Sequence, residues 1–137
     1  MKTLVLYYSY TGKTQKIAQE ICGKRQADII EVKETAARSK WNAYLKGSVE
    51  ARKQKKVPIL PLACDLSEYD TIMIAMPIWA GYPAPAMNAV ADLLPEGKEI
   101  ELVMTSKSGG SAGSREKTEA LISQKRCTLT SYIDIKS

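Results

Sequence analysis

The chain has 137 residues, 45% of them hydrophobic and 26% charged, which suits one globular domain (1–137) with a sizeable core and excludes a disordered chain. It has no histidine, which excludes Ser-His-Asp and Cys-His catalysis, and its three cysteines (Cys22, Cys64, Cys127) cannot all pair and lack metal-ligand spacing, as expected of reduced cytoplasmic thiols. Net charge is +5, but the stretch from Arg38 to Lys56 holds seven cations against the single anion Glu50, so the basicity is local.

Thr3 to Tyr8 is a continuous apolar run of strand length, the pattern of a strand covered on both faces. It breaks at Ser9-Tyr10-Thr11-Gly12. A helix follows, with Ile17, Ala18, Ile21 and Cys22 at helical spacing, and Gly23 with Lys24-Arg25 suits its end. Ala27 to Lys33 reads as a second strand. Trp41, Tyr44, Leu45 and Val49 then fit one face of a helix that Lys53 to Pro58 break, and Ile59 to Asp65 reads as loop. Thr71 to Met76 is the strongest strand signal, and Pro77 is expected to stop it. Pro85 opens a helix carrying Met87, Val90, Ala91 and Leu94 on one face, which Pro95-Glu96-Gly97 end. Ile100 to Met104 is a fourth strand, Ser108 to Gly113 a flexible loop, and Glu116 to Lys125 a helix with Leu121 and Ile122 inward. Thr128 to Ile135 closes as a fifth strand anchored by Leu129, Ile133 and Ile135.

Strand–helix alternation through five strands predicts a three-layer α/β fold, a doubly wound parallel sheet with helices on both faces. In such sheets ligands bind beyond the carboxyl ends of the strands. Three loops end there: Ser9 to Thr14, Pro77 to Tyr82, and Ser106 to Ser114. In the first, three hydroxyls and Gly12 gather where N–H groups at a helix start lack partners, which suits a phosphate dianion. Gly12-Lys13-Thr14 is not a P-loop, because the glycine that motif needs five residues earlier is Tyr7. Ser9 and Pro77 stand where a receiver domain needs carboxylates, and the first loop has no cysteine for a phosphatase of low molecular weight. The second loop sets Trp79, Gly81 and Tyr82 between prolines, able to stack on a planar ring. The glycines of the third could let backbone approach the ring's other side.

Ser9-x-Thr11-Gly12-x-Thr14 resembles the flavodoxin phosphate loop. Tyr69-Asp70, Pro77-Ile78-Trp79-x-Gly81, Pro83-Ala84-Pro85-Ala86 and the Thr105 to Ser111 loop resemble short-chain bacterial flavodoxin-like proteins. The resemblance implies a five-stranded flavodoxin-like fold, strand order 2-1-3-4-5, with non-covalent FMN. It implies that Ser9, Thr11, Gly12, Lys13 (mainly through its backbone) and Thr14 hold the phosphate. Pro77, Ile78, Trp79 and Gly81 would line the isoalloxazine, and Ser106, Gly109 and Gly110 would border its other edge. No catalytic residue and no metal are expected. Typical flavodoxins are acidic, whereas this chain is basic.

The implied function is an FMN-binding carrier passing electrons between redox partner proteins. One alternative is an FMN-dependent reductase of quinones using NAD(P)H. The other is a flavin-free interaction module using the basic segment. That segment is read first as a solvated helix face and, more sharply, as a docking surface for an acidic partner; nucleic acid is not favoured. With no apolar run near the roughly 20 residues of a membrane span and no leader-like start, a cytoplasmic protein without membrane attachment is expected.

Overall fold

The protein is described by a computed structural model over residues 2–136, the side chain of Tyr44 excepted. The chain runs β1 (Thr3–Tyr7), α1 (Lys13–Arg25), β2 (Asp28–Glu31), α2 (Lys40–Arg52), β3 (Thr71–Trp79), β4 (Tyr82–Pro83), α3 (Ala86–Leu93), β5 (Glu99–Ser106), α4 (Arg115–Gln124) and β6 (Thr128–Lys136). Five strands pair in parallel in the order β2-β1-β3-β5-β6. The two-residue β4 pairs antiparallel with the end of β3. Leaving β4 aside, this is the 2-1-3-4-5 order the sequence implied.

β3 is central and buried from Thr71 to Met76. Ile72, Ile74 and Met76 face the larger core, with Leu4, Leu6, Ile100, Leu102 and Met104 beside them and α3 and α4 above. Met73 and Ala75 face a smaller core that α1 covers through Ile17, Ala18 and Ile21. Both faces are thus closed, which is why these strands read as unbroken apolar runs. No described helix is long and apolar enough to cross a membrane.

Three details depart from the sequence expectation. Pro77 does not stop β3, which continues to Trp79. Ala75 meets β1 through its carbonyl, which accepts the Tyr8 N–H at 3.2 Å. Two residues on, Pro77 faces the same side, where β1 has ended, so its missing N–H costs no ladder bond. In β6 a register shift falls between Ile100 and Glu101, pairing them with Leu129 and Ser131. The irregularity reverses the alternation. Leu129 packs with Tyr132 on the larger core, Ile135 joins the smaller one, and Ile133 is left exposed.

The third departure is α2. Trp41, Leu45 and Val49 do share one face, but they point to solvent, and the Tyr44 side chain lies outside the described residues. The inward residues are Ala43, Gly47, Glu50 and Ala51. Small residues are required there because the helix lies flush on Trp79. A Cβ on Gly47 would come within 2.7 Å of Trp79 Cζ3. The chain returns from α2 antiparallel to its outward path, with the Leu60 N–H on the Lys33 carbonyl at 2.8 Å.

Two glycines in helices should therefore respond oppositely to alanine. A Cβ on Gly23 of α1 meets nothing within 4 Å, so Gly23→Ala should stabilise the fold by about 0.5–1 kcal/mol. Gly47→Ala should destabilise it by about 1–3 kcal/mol and shift tryptophan emission. Urea unfolding followed by fluorescence checks both.

Candidate functional site

At the carboxyl edge of the sheet, β1 leads into Ser9 to Gly12. The Ser9 hydroxyl accepts the Gly12 N–H at 3.0 Å, closing a tight turn. Gly12 itself sits at φ +98°, a left-handed conformation with open space on its Cβ side. It starts α1 with no side chain capping the first turn, and the first helical bond runs from the Lys16 N–H to the Gly12 carbonyl at 3.1 Å. The N–H groups of Lys13, Thr14 and Gln15 therefore lack intrahelical acceptors and point out of the helix start. Thr11, Gly12 and Lys13 are exposed around them. Thr14 is different: its buried hydroxyl bonds the Thr105 hydroxyl at 2.8 Å, anchoring the loop to β5.

The second loop is a two-residue hairpin between Trp79 and Tyr82. Ala80 and Gly81 both have positive φ, +53° and +85°, as a type I′ turn demands. Pro77 stands opposite Thr105 on β5, which sets this hairpin beside the third loop. There Gly109 and Gly110 are also left-handed, at +81° and +58°. Ser111 is fully buried, bonded to the Tyr132 hydroxyl and donating to Asp134 Oδ1 at 2.7 Å. Burial holds the Tyr132 phenol above its ordinary pKa. Ser114 donates to the Gly81 carbonyl at 2.7 Å, tying the third loop to the second. The structure thus gathers Ser9, Thr11, Gly12 and Lys13 in one cradle. It sets Pro77, Ile78 and Gly81 next to it, and carries Gly109 and Gly110 on the adjoining loop; Ser106, expected on that loop, instead ends β5, paired with Lys136.

Trp79 occupies a more crowded place than its loop suggests. Its half-buried ring lies against Gly47, with Tyr8 and Tyr10 edge-on at centroid distances of 5.9 and 6.2 Å. The Arg38 guanidinium lies 5.5 Å from the ring centroid. Arg38 is only 7% exposed and is held by two carboxylates. Its Nε and Nη2 donate to Glu34 at 2.7 and 2.8 Å, and Nη2 also donates to Glu50 at 2.7 Å. Nη1 donates to Asn42 Oδ1 at 3.2 Å. The Tyr8 hydroxyl donates to the same Glu34 at 2.7 Å, and burial with that carboxylate raises its pKa well above the ordinary phenol value. Hydrogen bonds that it donates to its two carboxylates likewise raise Arg38, which stays charged at any working pH.

Arg38 therefore leaves the exposed basic stretch in which the sequence count placed it. Glu34 and Arg38 lie in irregular chain before α2, so only their nearness in sequence hints at the pair. Thr105, Ser111, Asp134 and Ser114 carry no such local signal, since their partners are distant in sequence.

A family model described as flavodoxin matches residues 2–130. The chain belongs to this flavodoxin family. Among solved structures, one from Bacteroides eggerthii, of a protein named provisionally as a flavoprotein, superposes with a TM-score of 0.85 at 20% identity, covering 99% of this chain and 89% of that one. The flavoprotein of Lactobacillus acidophilus in complex with FMN gives 0.69 at 24% identity, covering 97% and 92%. The apo form of the Lactobacillus acidophilus flavoprotein gives 0.71 at 27%, covering 98% and 92%. A search of curated proteins finds no match.

Truncating Arg38 would leave Glu34 and Glu50 buried without their cation. Arg38→Ala should cost this flavodoxin about 3–5 kcal/mol, because an uncompensated buried charge is expensive. Lys40→Ala, two residues on and exposed, should fall within about 0.5 kcal/mol of the parent. Denaturant midpoints of the two variants make the comparison.

Proposed function

We propose that the chain binds FMN non-covalently at the three carboxyl-edge loops and carries electrons between redox proteins. The observation that carries this reading is the uncapped start of α1 at Gly12, with Ser9 turned onto the Gly12 N–H and Thr11 exposed beside it. The donor set fits a phosphate: it offers N–H and O–H groups, Gly12 leaves open space, and the three loops contain no carboxylate to oppose a dianion.

In this reading Ser9 uses its oxygen for the Gly12 N–H and its hydroxyl hydrogen for the phosphate. Thr11 donates its hydroxyl, and Lys13 its backbone N–H. Thr14 contributes its backbone N–H only, because its side chain is committed to Thr105. Pro77, Ile78 and Gly81 flank the isoalloxazine on one side, with Trp79 braced between the site and α2. Ser106, Gly109 and Gly110 border the other side, where left-handed glycines let backbone come close. FMN, when bound, supplies the electron-accepting and electron-releasing chemistry. The protein needs no acid or base for this; its part is to hold the phosphate and shield the ring.

Binding and folding should separate cleanly at the two threonines. Thr11→Val should weaken FMN by about tenfold or more through loss of a bond to a charged group, with riboflavin affinity and fold stability unchanged. Thr14→Val should instead destabilise the apo fold by about 1–3 kcal/mol, by leaving the buried Thr105 hydroxyl unpaired. Fluorescence-quenching titrations with FMN and riboflavin, alongside urea unfolding, measure both. Equal affinity of the parent for the two flavins would overturn the phosphate cradle. NADPH oxidation without a partner protein at about 1 per second or faster would replace the carrier by a reductase.

A further inference from the structure

The two faces of α2 are arranged against the usual rule. An amphipathic helix turns its large apolar side chains inward, yet here Trp41, Leu45 and Val49 are 72%, 48% and 50% exposed. They recur at i, i+4 and i+8, so they form one continuous stripe. A clustered stripe of this kind, unlike scattered surface leucines, marks an interaction surface. Among the described residues of the helix, its exposed charges are all cationic. Lys40, Lys46, Arg52 and Lys53 are exposed on the same helix and its end. The one anion of α2, Glu50, is turned inward and spent on Arg38.

We propose that this outward face of α2 is the docking surface for an acidic redox protein, whose carboxylates meet the lysines and whose apolar centre covers Trp41, Leu45 and Val49. The chemistry is that of a small, transient interface: an aromatic and aliphatic centre, an arginine beside it, and a charged rim that steers the encounter. The face is about 20 Å long, which suits the low end of the interface range. The opposite side of the same helix rests on Trp79 through Gly47. A partner docked here is separated from the carboxyl edge by one helix diameter, about 10 Å. This last point rests on the FMN reading. It also favours a protein over a lipid surface, since an electron carrier needs its partner's centre near that edge. A bilayer-inserting face would moreover continue as apolar, whereas Arg52 and Lys53 close the stripe after three residues.

The test maps the contact directly and does not depend on flavin. Isotope-labelled protein is titrated with an acidic plant-type [2Fe–2S] ferredoxin, with basic cytochrome c, and with vesicles of phosphatidylcholine containing about a quarter phosphatidylglycerol. The proposal expects amide shifts on the outward residues of α2 and the Trp41 indole with ferredoxin alone. The affinity should fall about tenfold or more from about 20 to about 300 mM salt. It should be lost in the K46E/R52E/K53E variant, whose FMN affinity should match the parent's. Absence of these shifts, their location elsewhere, or equal binding of cytochrome c would overturn it. So would vesicle binding through Trp41 without ferredoxin binding, or self-association of the chain through the same residues. Failure of both proteins to bind FMN, with the ferredoxin shifts intact, would count against the flavin reading and leave the docking face standing.

Discussion

One guanidinium organises the region around the site. Arg38 is bonded to Glu34 from the exit of β2 and to Glu50 from α2, and it faces Trp79 from the end of β3. Tyr8, leaving β1, joins through Glu34. Four segments distant in sequence thus meet on one charge. Burying three ionised groups is costly unless their hydrogen-bonding capacity is met, and here the carboxylates, Asn42 and the Tyr8 hydroxyl meet it. The geometry that satisfies them draws α2 onto Trp79. Only glycine fits against Trp79 at position 47, and the helix carries its bulk outward. The unusual orientation of α2 follows from the buried pair rather than from hydrophobic patterning.

The rest of the carboxyl edge is fixed by smaller polar ties of the same kind. Thr14 to Thr105, Ser114 to Gly81, and Ser111 to Tyr132 and Asp134 each join a loop to a different strand or loop. These side chains hold the scaffold. In the proposed FMN reading, the groups that meet the phosphate are the Ser9 and Thr11 hydroxyls and the amides opening α1. The result is a division of charge across one helix thickness: uncapped amides at the start of α1, neutralised ions under α2, and lysines outside. The positive charge thus gathers on the outer face of α2, at Lys40, Lys46, Arg52 and Lys53.

Much of the fold was legible because it rests on local pattern. The runs at Thr3 to Tyr8 and Thr71 to Met76 are apolar almost throughout, as strands closed on both sides must be. What was illegible rests on pairing. The continuation of β3 past Pro77 depends on where β1 ends, and the exposure of Ile133 depends on an irregularity between β5 and β6. Ser9, Thr11 and Gly12 stand together at the start of α1, where the strand-to-helix pattern of the sequence puts them. The pairing of the Thr14 hydroxyl with Thr105 has no sequence signal, because the two stand 91 residues apart. Ala80 resembles an ordinary loop residue, yet the hairpin places it at positive φ. Counting charges along the chain put Arg38 with the exposed lysines; only its partners show that it is not.

The central claim is that the loop from Ser9 to Thr14 grips a phosphate dianion. Phosphorus NMR of the protein loaded with FMN, recorded from about pH 5 to pH 9, addresses it most directly. A free phosphate monoester takes up a proton near pH 6. Donors aimed at the charged form hold it deprotonated, so the account predicts a bound resonance that stays at the dianion position throughout. A resonance that follows the titration of free FMN while the flavin remains bound would contradict it.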